Sequence, residues 1–214
     1  MEAYTPGQGA ELVVAARRSA ELHLISPSFD RKLVAKMLGP FEQQYGVRVS
    51  FLHYPTDSPR GSHLDLDAST TVKEKVIRAA VAAGFEDPGH VSLTPFELEH
   101  VVTQVDIISE PVQLPASRTA RLREVRLGRH GILVRYGFKW GMLMPEAAMR
   151  GNWNVKRFLE EACTAAGLHQ NYWTQPSVKI YTFEVQSFRE ESPDGKVVET
   201  TLEIPERAEK KRKK

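Results

Sequence analysis

The sequence lacks cysteine pairs and long apolar runs, and each shortage excludes a class of protein. Cys163 is the single cysteine among 214 residues, so an intrachain disulfide is impossible and a reducing compartment is expected. The longest apolar stretches fall far below the ~20 residues that a membrane-spanning helix needs. The chain does not open on a basic segment followed by an apolar run, so no signal peptide is expected. These shortages predict a soluble, cytoplasmic protein without membrane attachment.

The sequence also has almost no excess of one sign of charge over the other. The formal net charge is +2 at pH 7, which is too small to attract the whole molecule to nucleic acid. Positive charge is concentrated at the end of the chain, from Lys210 to Lys214. We expect residues 206–214 to be a disordered basic tail, and such tails more often solubilise a protein than bind a partner. Low-affinity, salt-sensitive binding of RNA or DNA through this tail stays an alternative.

What the sequence does contain is an ordinary globular composition with mixed periodicities. Hydrophobic residues make up 41% and charged residues 26% of the chain, and its length suits one large domain or two fused subdomains. Apolar residues at helical spacing predict helices over residues 10–25, 30–44, 71–84 and 155–166. Alternating apolar residues predict strands over residues 47–54, 101–108 and 178–188, and a hairpin joins the last of these to residues 197–204.

Two further segments have a less regular pattern. Residues 55–70 contain prolines, a glycine and several aspartates, and we predict a loop with at most a short strand. Around Gly128 and Gly131 the apolar residues predict two strands joined by a tight turn, the first of which includes Val125 and Leu127. Several connections are too short for parallel crossovers. We therefore predict an α+β fold, with a largely antiparallel sheet flanked by helices.

Several motifs, in order along the chain, resemble the AMMECR domain family. Residues 128–145 read Gly-Arg-His-Gly-Ile-Leu-Val-Arg-Tyr-Gly-Phe-Lys-Trp-Gly-Met-Leu-Met-Pro, while residues 85–88 read Phe-Glu-Asp-Pro and residues 93–98 read Leu-Thr-Pro-Phe-Glu-Leu. The match extends to the strand at residues 180–184, and in all it covers roughly residues 10–190. Agreement of several motifs is more specific than any single glycine pattern.

The resemblance implies two closely packed α/β subdomains around an antiparallel sheet, so that residues 1–205 form one AMMECR-like domain. It also implies an association, in prokaryotes, with a Memo-type protein and a radical S-adenosylmethionine protein. No agreed activity or cofactor belongs to the domain itself. The resemblance therefore favours an accessory domain that binds a protein partner or a small ligand.

The chain departs from the family at the family's hallmark hexapeptide, Leu-Arg-Gly-Cys-Ile-Gly. In the corresponding place, residues 59–64 read Pro-Arg-Gly-Ser-His-Leu. Arg60 and Gly61 match the hexapeptide, whereas Ser62 stands where the family has cysteine. A serine hydroxyl is hardly ionised near neutral pH, whereas a few per cent of a thiol is ionised. Any thiol chemistry of the family is therefore lost in this chain.

Two short segments supply the candidate ligand-binding residues. Arg60, Gly61 and Ser62 could hold a carboxylate or phosphate, because glycine permits close approach and a guanidinium binds such anions. Arg129 could bind the same anion, and His130 could move protons because its ordinary pKa of ~6.5 lies near neutrality. We predict that both segments line one concavity. In the simpler interpretation, the two segments are structural turns.

The alternation of His63, Asp65 and Asp67 admits a second kind of site. In a strand these side chains face the same way, and they could offer a divalent metal one nitrogen and two oxygens. A solvated polar loop is the simpler explanation, because no second histidine or cysteine has ligand spacing. We therefore predict no metal site, with these three residues as the candidates if one exists.

Three functional hypotheses follow. The first is the accessory or partner-binding domain, which is motivated by a retained fold signature and a lost cysteine. The second is an enzyme acting on a small anionic metabolite, with His130, His63 or Ser62 in catalysis. The third is nucleic-acid binding through the basic tail. We expect Cys163 to be an inert buried thiol, and most of the three tryptophans to pack in the interior rather than stack on bases.

Overall fold

The computed structural model describes residues 4–29, 31 and 46–200. Its helices are α1 (Pro6–Ile25), α2 (Val72–Phe85), α3 (Pro95–Leu98), α4 (Arg118–Glu124), α5 (Pro145–Arg150) and α6 (Val155–Ala165), and a 3-10 helix covers Gln170–Thr174. Its strands are β1 (Gly46–His53), β2 (Ser58–Asp65), β3 (Val101–Ile108), β4 (Val112–Gln113), β5 (His130–Tyr136), β6 (Lys139–Leu143), β7 (Lys179–Glu190) and β8 (Val197–Thr200). Within these residues, no helix combines the length and the apolar character needed to cross a membrane.

The chain divides into two compact units. Unit 1 contains the described residues up to Ser109 together with those from Gln186 onward, and unit 2 contains Glu110–Val185. Strand β7 belongs to both, since its first part lies in unit 2 and its last part in unit 1. Strands pair antiparallel and helices flank them, which confirms the predicted α+β class.

Unit 1 is built on β1, which pairs antiparallel with β2 on one side and with β3 on the other. Helix α1 begins with a capping box in which the Thr5 side chain accepts a hydrogen bond from the Gln8 amide and the Gln8 side chain accepts one from the Thr5 amide. Helices α1 and α2 pack on each other, and α2 also packs on β1 and β2. Buried apolar residues such as Leu12, Phe51 and Phe188 fill the interior.

Unit 2 contains β4, β5 and β6 with the first part of β7. Strand β7 pairs with β4 and β5, and β5 also pairs with β6. Helix α6 starts at the cap Asn154, whose side chain accepts from Arg157 N. A Cβ atom on Gly141 would lie 2.3 Å from Ala166 N, so the glycine allows β6 to approach the end of α6 closely. The interior includes Trp173.

Two local predictions were wrong. Residues 58–65 form an eight-residue strand, β2, rather than a loop with at most a short strand. They pair with β1 over seven residue pairs, from Val47 opposite Asp65 to His53 opposite Ser58, with a bulge near Phe51. The strand predicted to include Val125 and Leu127 is absent, and the preceding residues form helix α4, capped by Ser117. Apart from Arg31, the predicted helix at 30–44 lies outside the described residues, and so does the basic tail.

Candidate functional site

Arg60 lies on β2, and its side chain is buried and hydrogen-bonded within unit 1. The residue is 4% exposed, and its Nε donates to Glu97 Oε1 at 2.7 Å. Nη2 donates to the Val91 carbonyl at 3.0 Å. Glu97 is also the third helical residue of α3, where its carboxylate accepts from Thr94. Arg60 therefore fastens the segment between Val91 and Glu97 to the sheet.

These hydrogen bonds determine the charge state of Glu97. The hydrogen bond from Arg60 lowers the pKa of Glu97 to about 2, with smaller contributions from Thr94, while burial opposes the shift. Glu97 is thus ionised throughout the neutral range, and the guanidinium of Arg60 meets a fixed negative charge. An anionic ligand at Arg60 would have to displace this carboxylate.

Gly61 allows close contact between β2 and the end of α2. A Cβ atom at this position would lie 2.2 Å from the carbonyl oxygen of Ala83. Real side chains are not tolerated at such a distance from backbone, so glycine is required for packing here. The Arg-Gly pair that resembles the family hallmark is therefore part of the framework of unit 1.

Ser62 faces solvent, and its backbone is held by Asp87. The Ser62 amide donates to Asp87 Oδ2 at 2.8 Å, and the Gly89 amide donates to Asp87 Oδ1 at 2.8 Å. His90 Nδ1 lies 3.4 Å from the same Oδ2 atom. The Ser62 hydrogen bond is the largest cause that lowers the pKa of Asp87. The Ser62 amide and the His90 ring therefore both contact the ionised carboxylate of Asp87.

Asp87 and His90 were not among the predicted site residues. Both lie in the turn at residues 86–90, where an aspartate three residues before a histidine is a visible signal. That signal says nothing about Ser62, which precedes Asp87 by 25 residues and reaches it only through the fold.

Exposed apolar and aromatic side chains follow this network in the chain. Val91 is 80% exposed and Phe96 is 71% exposed. The Phe96 and His100 rings lie 4.5 Å apart, and the His100 carbonyl accepts from the amide of Tyr54, whose side chain is 47% exposed. We call Tyr54, Val91, Phe96 and His100 the aromatic surface.

Two of the three metal candidates, Asp65 and Asp67, are hydrogen-bonded to Arg78. Arg78 donates to both carboxylate oxygens of Asp65 at 2.8 Å, and to Asp67 at 3.1 Å. Hydrogen bonds from Ser69, followed by that from Arg78, lower the pKa of Asp67 to about 2. His63 is exposed on β2 and lines a cavity of about 330 Å³ with Asp65 and Arg78. Over the described ranges, no three histidine, cysteine or acidic side chains come together as metal ligands would.

Arg129 and His130 lie in unit 2, at the start of β5. Arg129 Nε donates to Glu184 Oε1 at 2.9 Å, and both side chains are about half exposed, at 54% and 42%. His130 Nδ1 accepts from the Arg126 amide at 3.3 Å, while its Nε2 lies 3.9 Å from the Glu184 carboxylate. Arg60–His63 belong to unit 1 and Arg129–His130 to unit 2. The shared concavity of the two segments stays a prediction.

Cys163 and the tryptophans largely follow the sequence-based expectation. Cys163 is fully buried on α6, as expected, and burial raises the pKa of its thiol to about 11, which disfavours the reactive thiolate form. Trp173 is 1% exposed, and the Trp153 ring packs against Phe158. Trp140 is the exception, because 56% of it is exposed.

The fold defines the class of the protein: it is an α+β protein in which helices flank antiparallel strands, and the Arg-Gly-Ser segment lies in one of those strands. The sequence matches the AMMECR1 family over residues 14–188, so the chain belongs to that family. Protein MK0488 of Methanopyrus kandleri is 32% identical over 204 residues, covering 94% of this chain and 97% of that protein. Protein MJ0810 of Methanocaldococcus jannaschii is 31% identical, covering 76% of this chain and 81% of its own length.

A solved structure has the same fold. The crystal structure of the uncharacterized protein PH0010 from Pyrococcus horikoshii matches with a TM-score of 0.80 and 26% sequence identity. The match covers 92% of this chain and 98% of that one. The names of these relatives state no reaction, ligand or partner.

Proposed function

We propose that this chain is an accessory domain that binds a protein partner through the aromatic surface of unit 1. The observation that carries the proposal is that Arg60 has a structural role and is not available to a ligand. Its guanidinium is buried against Glu97 and the Val91 carbonyl and so holds a loop in place. Among the exposed residues of that segment, Val91 and Phe96 are the large apolar ones. Exposed apolar side chains that lie together are typical of protein–protein contact.

The aromatic surface is held by hydrogen bonds at several points. Arg60 and Asp87 attach the loop that carries Val91 to β2, and the Thr94–Glu97 capping box fixes the helix turn that carries Phe96. A preorganised surface loses little conformational freedom on binding. Aromatic side chains at the centre of an interface often supply most of the binding energy.

The partner that we propose is the Memo-type protein or the radical S-adenosylmethionine protein that accompanies such domains in prokaryotes. Each would be purified from the same organism as this chain and titrated with it by calorimetry. Phe96→Ala should weaken binding roughly 30-fold, which corresponds to a hot-spot loss of about 2 kcal/mol. Phe138→Ala, which removes an exposed aromatic ring from unit 2, should leave the affinity unchanged.

Two results would overturn the proposal. One is the absence of binding to both proteins at micromolar concentrations. The other is an affinity that Phe96→Ala does not change while the variant remains folded.

A second candidate function is an enzyme acting on a small anionic metabolite, and the carboxylate of Asp87 favours it. Asp87 Oδ2 contacts both the Ser62 amide and His90 Nδ1. A carboxylate at Nδ1 orients an imidazole and leaves Nε2 at the far end of the ring for proton transfer. Ser62, as a hydroxyl, and His90, as a base, would then be the catalytic pair, with His63 on the same strand and His130 in unit 2 as the other candidates.

Turnover of a panel of phosphorylated and carboxylated esters tests this candidate. His90→Gln and Ser62→Ala should each abolish turnover without lowering stability. His100→Gln changes another exposed histidine of unit 1 and serves as the matched control. Turnover that survives both substitutions would remove Ser62 and His90 from catalysis.

A further inference from the structure

The β5–β6 hairpin of unit 2 concentrates exposed aromatic rings. Tyr136 and Lys139 pair across it, and the turn consists of Gly137 and Phe138. Gly137 has φ of 58°, a left-handed conformation that suits glycine in a tight hairpin turn. Phe138 at the tip is fully exposed, Trp140 is 56% exposed and Tyr136 is 39% exposed.

One face of this hairpin is attached to the rest of unit 2. Lys139 Nζ donates to the Gly167 carbonyl at 2.9 Å. The Tyr136 ring lies edge-on to Tyr172, with 5.7 Å between centroids. Because paired residues on adjacent strands share a face of the sheet, Tyr136 and Lys139 mark the attached side. The hairpin is therefore held in position while its other face stays accessible.

The other face carries a row of one aromatic ring and two cations. Arg135 pairs with Trp140 on β6 and with Lys179 on β7, so the three side chains lie side by side, about 5 Å from strand to strand. All three residues are exposed. The side chains of Arg135 and Lys179 form no hydrogen bond or ion pair with any residue that the structure covers. Residues 131–144 contain no aspartate or glutamate, so the local charge is positive.

We propose that this face, formed by Arg135, Trp140 and Lys179, binds a single-stranded segment of nucleic acid together with Phe138 at the hairpin tip. Bases stack on the Trp140 and Phe138 rings, and phosphates pair with Arg135 and Lys179. Exposed aromatic rings interleaved with cations on a β-sheet are what sequence-tolerant binding of single strands requires, because every base has a face that can stack. The site lies in unit 2 and is independent of the aromatic surface in unit 1.

The test uses the full chain with fluorescein-labelled eight-nucleotide oligouridylate and oligothymidylate, at low salt. Fluorescence anisotropy gives the affinity. Trp140→Ala and Phe138→Ala should each weaken binding at least about fivefold, which is the lower end for loss of one stacked base. Phe96→Ala, the matched loss of an exposed ring in unit 1, should have no effect. Binding that is absent from the wild type, or equal in all four proteins, overturns the proposal.

Salt dependence tests the two cations separately. Each phosphate contact on a single strand contributes about −0.7 to the slope of log K against log salt concentration. The double variant R135Q/K179Q should therefore have a slope less steep by about 1.4. Replacing the exposed Arg126 and Lys156 by glutamine is the control and should change the slope less. An unchanged slope for R135Q/K179Q counts against phosphate contacts at these residues.

Other sources of binding give distinguishable results. In a variant with Lys210, Lys211, Arg212, Lys213 and Lys214 replaced by glutamine, the loss caused by Trp140→Ala should persist. If neutralising the tail abolishes binding that Trp140→Ala leaves intact, the tail is the site and the proposal fails. It also fails if polyglutamate or vesicles of anionic phospholipid bind the Trp140 face more tightly than the oligonucleotides do.

Discussion

The guanidinium of Arg60 and the carboxylate of Glu97 form an ion pair with 2.7 Å between Nε and Oε1. The pair joins β2 to the first turn of α3, and the two residues are 37 positions apart in the sequence. The side chain of Arg60 is 5% exposed and that of Glu97 is 29% exposed. The arginine of the family-like segment thus acts as a structural connection within unit 1, and the stability of the fold is the property that tests it.

Arg60→Met should destabilise the protein by about 3 kcal/mol, because it removes charged hydrogen bonds and leaves Glu97 partly buried without its partner. Arg129→Met is the matched control. Arg129 forms an ion pair with Glu184 in which both side chains are about half exposed, and such pairs contribute only about 0–1 kcal/mol. Urea unfolding of the two variants measures the difference. Equal losses of stability would show that Arg60 is not the buried connection described above.

Acid should remove the contribution of Glu97. Its pKa is lowered to about 2 in the folded protein, chiefly by Arg60, from an ordinary value near ~4.3 in an unfolded chain. A carboxyl whose pKa is depressed on folding stabilises the fold above its unfolded pKa and loses that contribution as pH falls toward the folded value. Wild type should therefore exceed Glu97→Gln in stability at pH 7, and the difference should shrink between pH ~4.3 and ~2. A difference that is constant with pH would contradict this assignment.

Gly61→Ala should destabilise the protein by about 1–3 kcal/mol, since the new methyl group meets a backbone carbonyl and cannot be relieved by a rotamer change. The added Cβ would lie 2.2 Å from Ala83 O. Gly7→Ala is the control, because the nearest atom to a Cβ there, Thr5 Oγ1, is 4.0 Å away. On helix propensity alone, that change should be neutral or stabilising by up to ~1 kcal/mol. Thermal unfolding distinguishes the two, and a stable Gly61→Ala variant would mean that β2 and α2 can separate without cost.

The parts of the fold that sequence predicted are those specified by nearby residues. Helix α6 was predicted over residues 155–166 from apolar residues at helical spacing, and it spans Val155–Ala165 with Asn154 as its cap. Strand β2 was missed because its proline, glycine and polar residues have low strand propensity. Its formation depends on pairing with β1 and on the hydrogen bond to Asp87, 25 residues away. Tertiary contacts of this kind leave no local pattern.

For the candidate site, too, the sequence identified residues but not the tertiary contacts that they make. The family-like motif identified Arg60, Gly61 and Ser62 as important, but it could not show that Arg60 points inward to Glu97 and Val91. Residue type gives the chemistry that a side chain can perform, whereas its partners are set by the fold. The exposure of Trp140 was likewise not predictable. Apolar residues such as Phe138 and Met142 lie close to it in the sequence, and its accessible face depends on how the hairpin is attached.

The family resemblance implies a cysteine where this chain has Ser62, and this difference permits a direct test of whether the position activates a thiol. In the native wild type, an aromatic disulfide reagent should not react, because Cys163 is buried and its pKa is raised to about 11. The variant S62C should react with one equivalent, since Ser62 is exposed. The ionised carboxylate of Asp87, 2.8 Å from the Ser62 amide, disfavours a neighbouring thiolate.

S62C should therefore react more slowly at pH 7 than the control S58C, which places a thiol at another exposed position of the same strand. Adding Asp87→Asn to S62C should raise its rate toward that of S58C. If S62C instead reacts faster than S58C, the surroundings of residue 62 stabilise a thiolate, and the site would be built for the thiol chemistry that this chain has lost. The sign of that difference thus separates a framework position from an inactivated catalytic one.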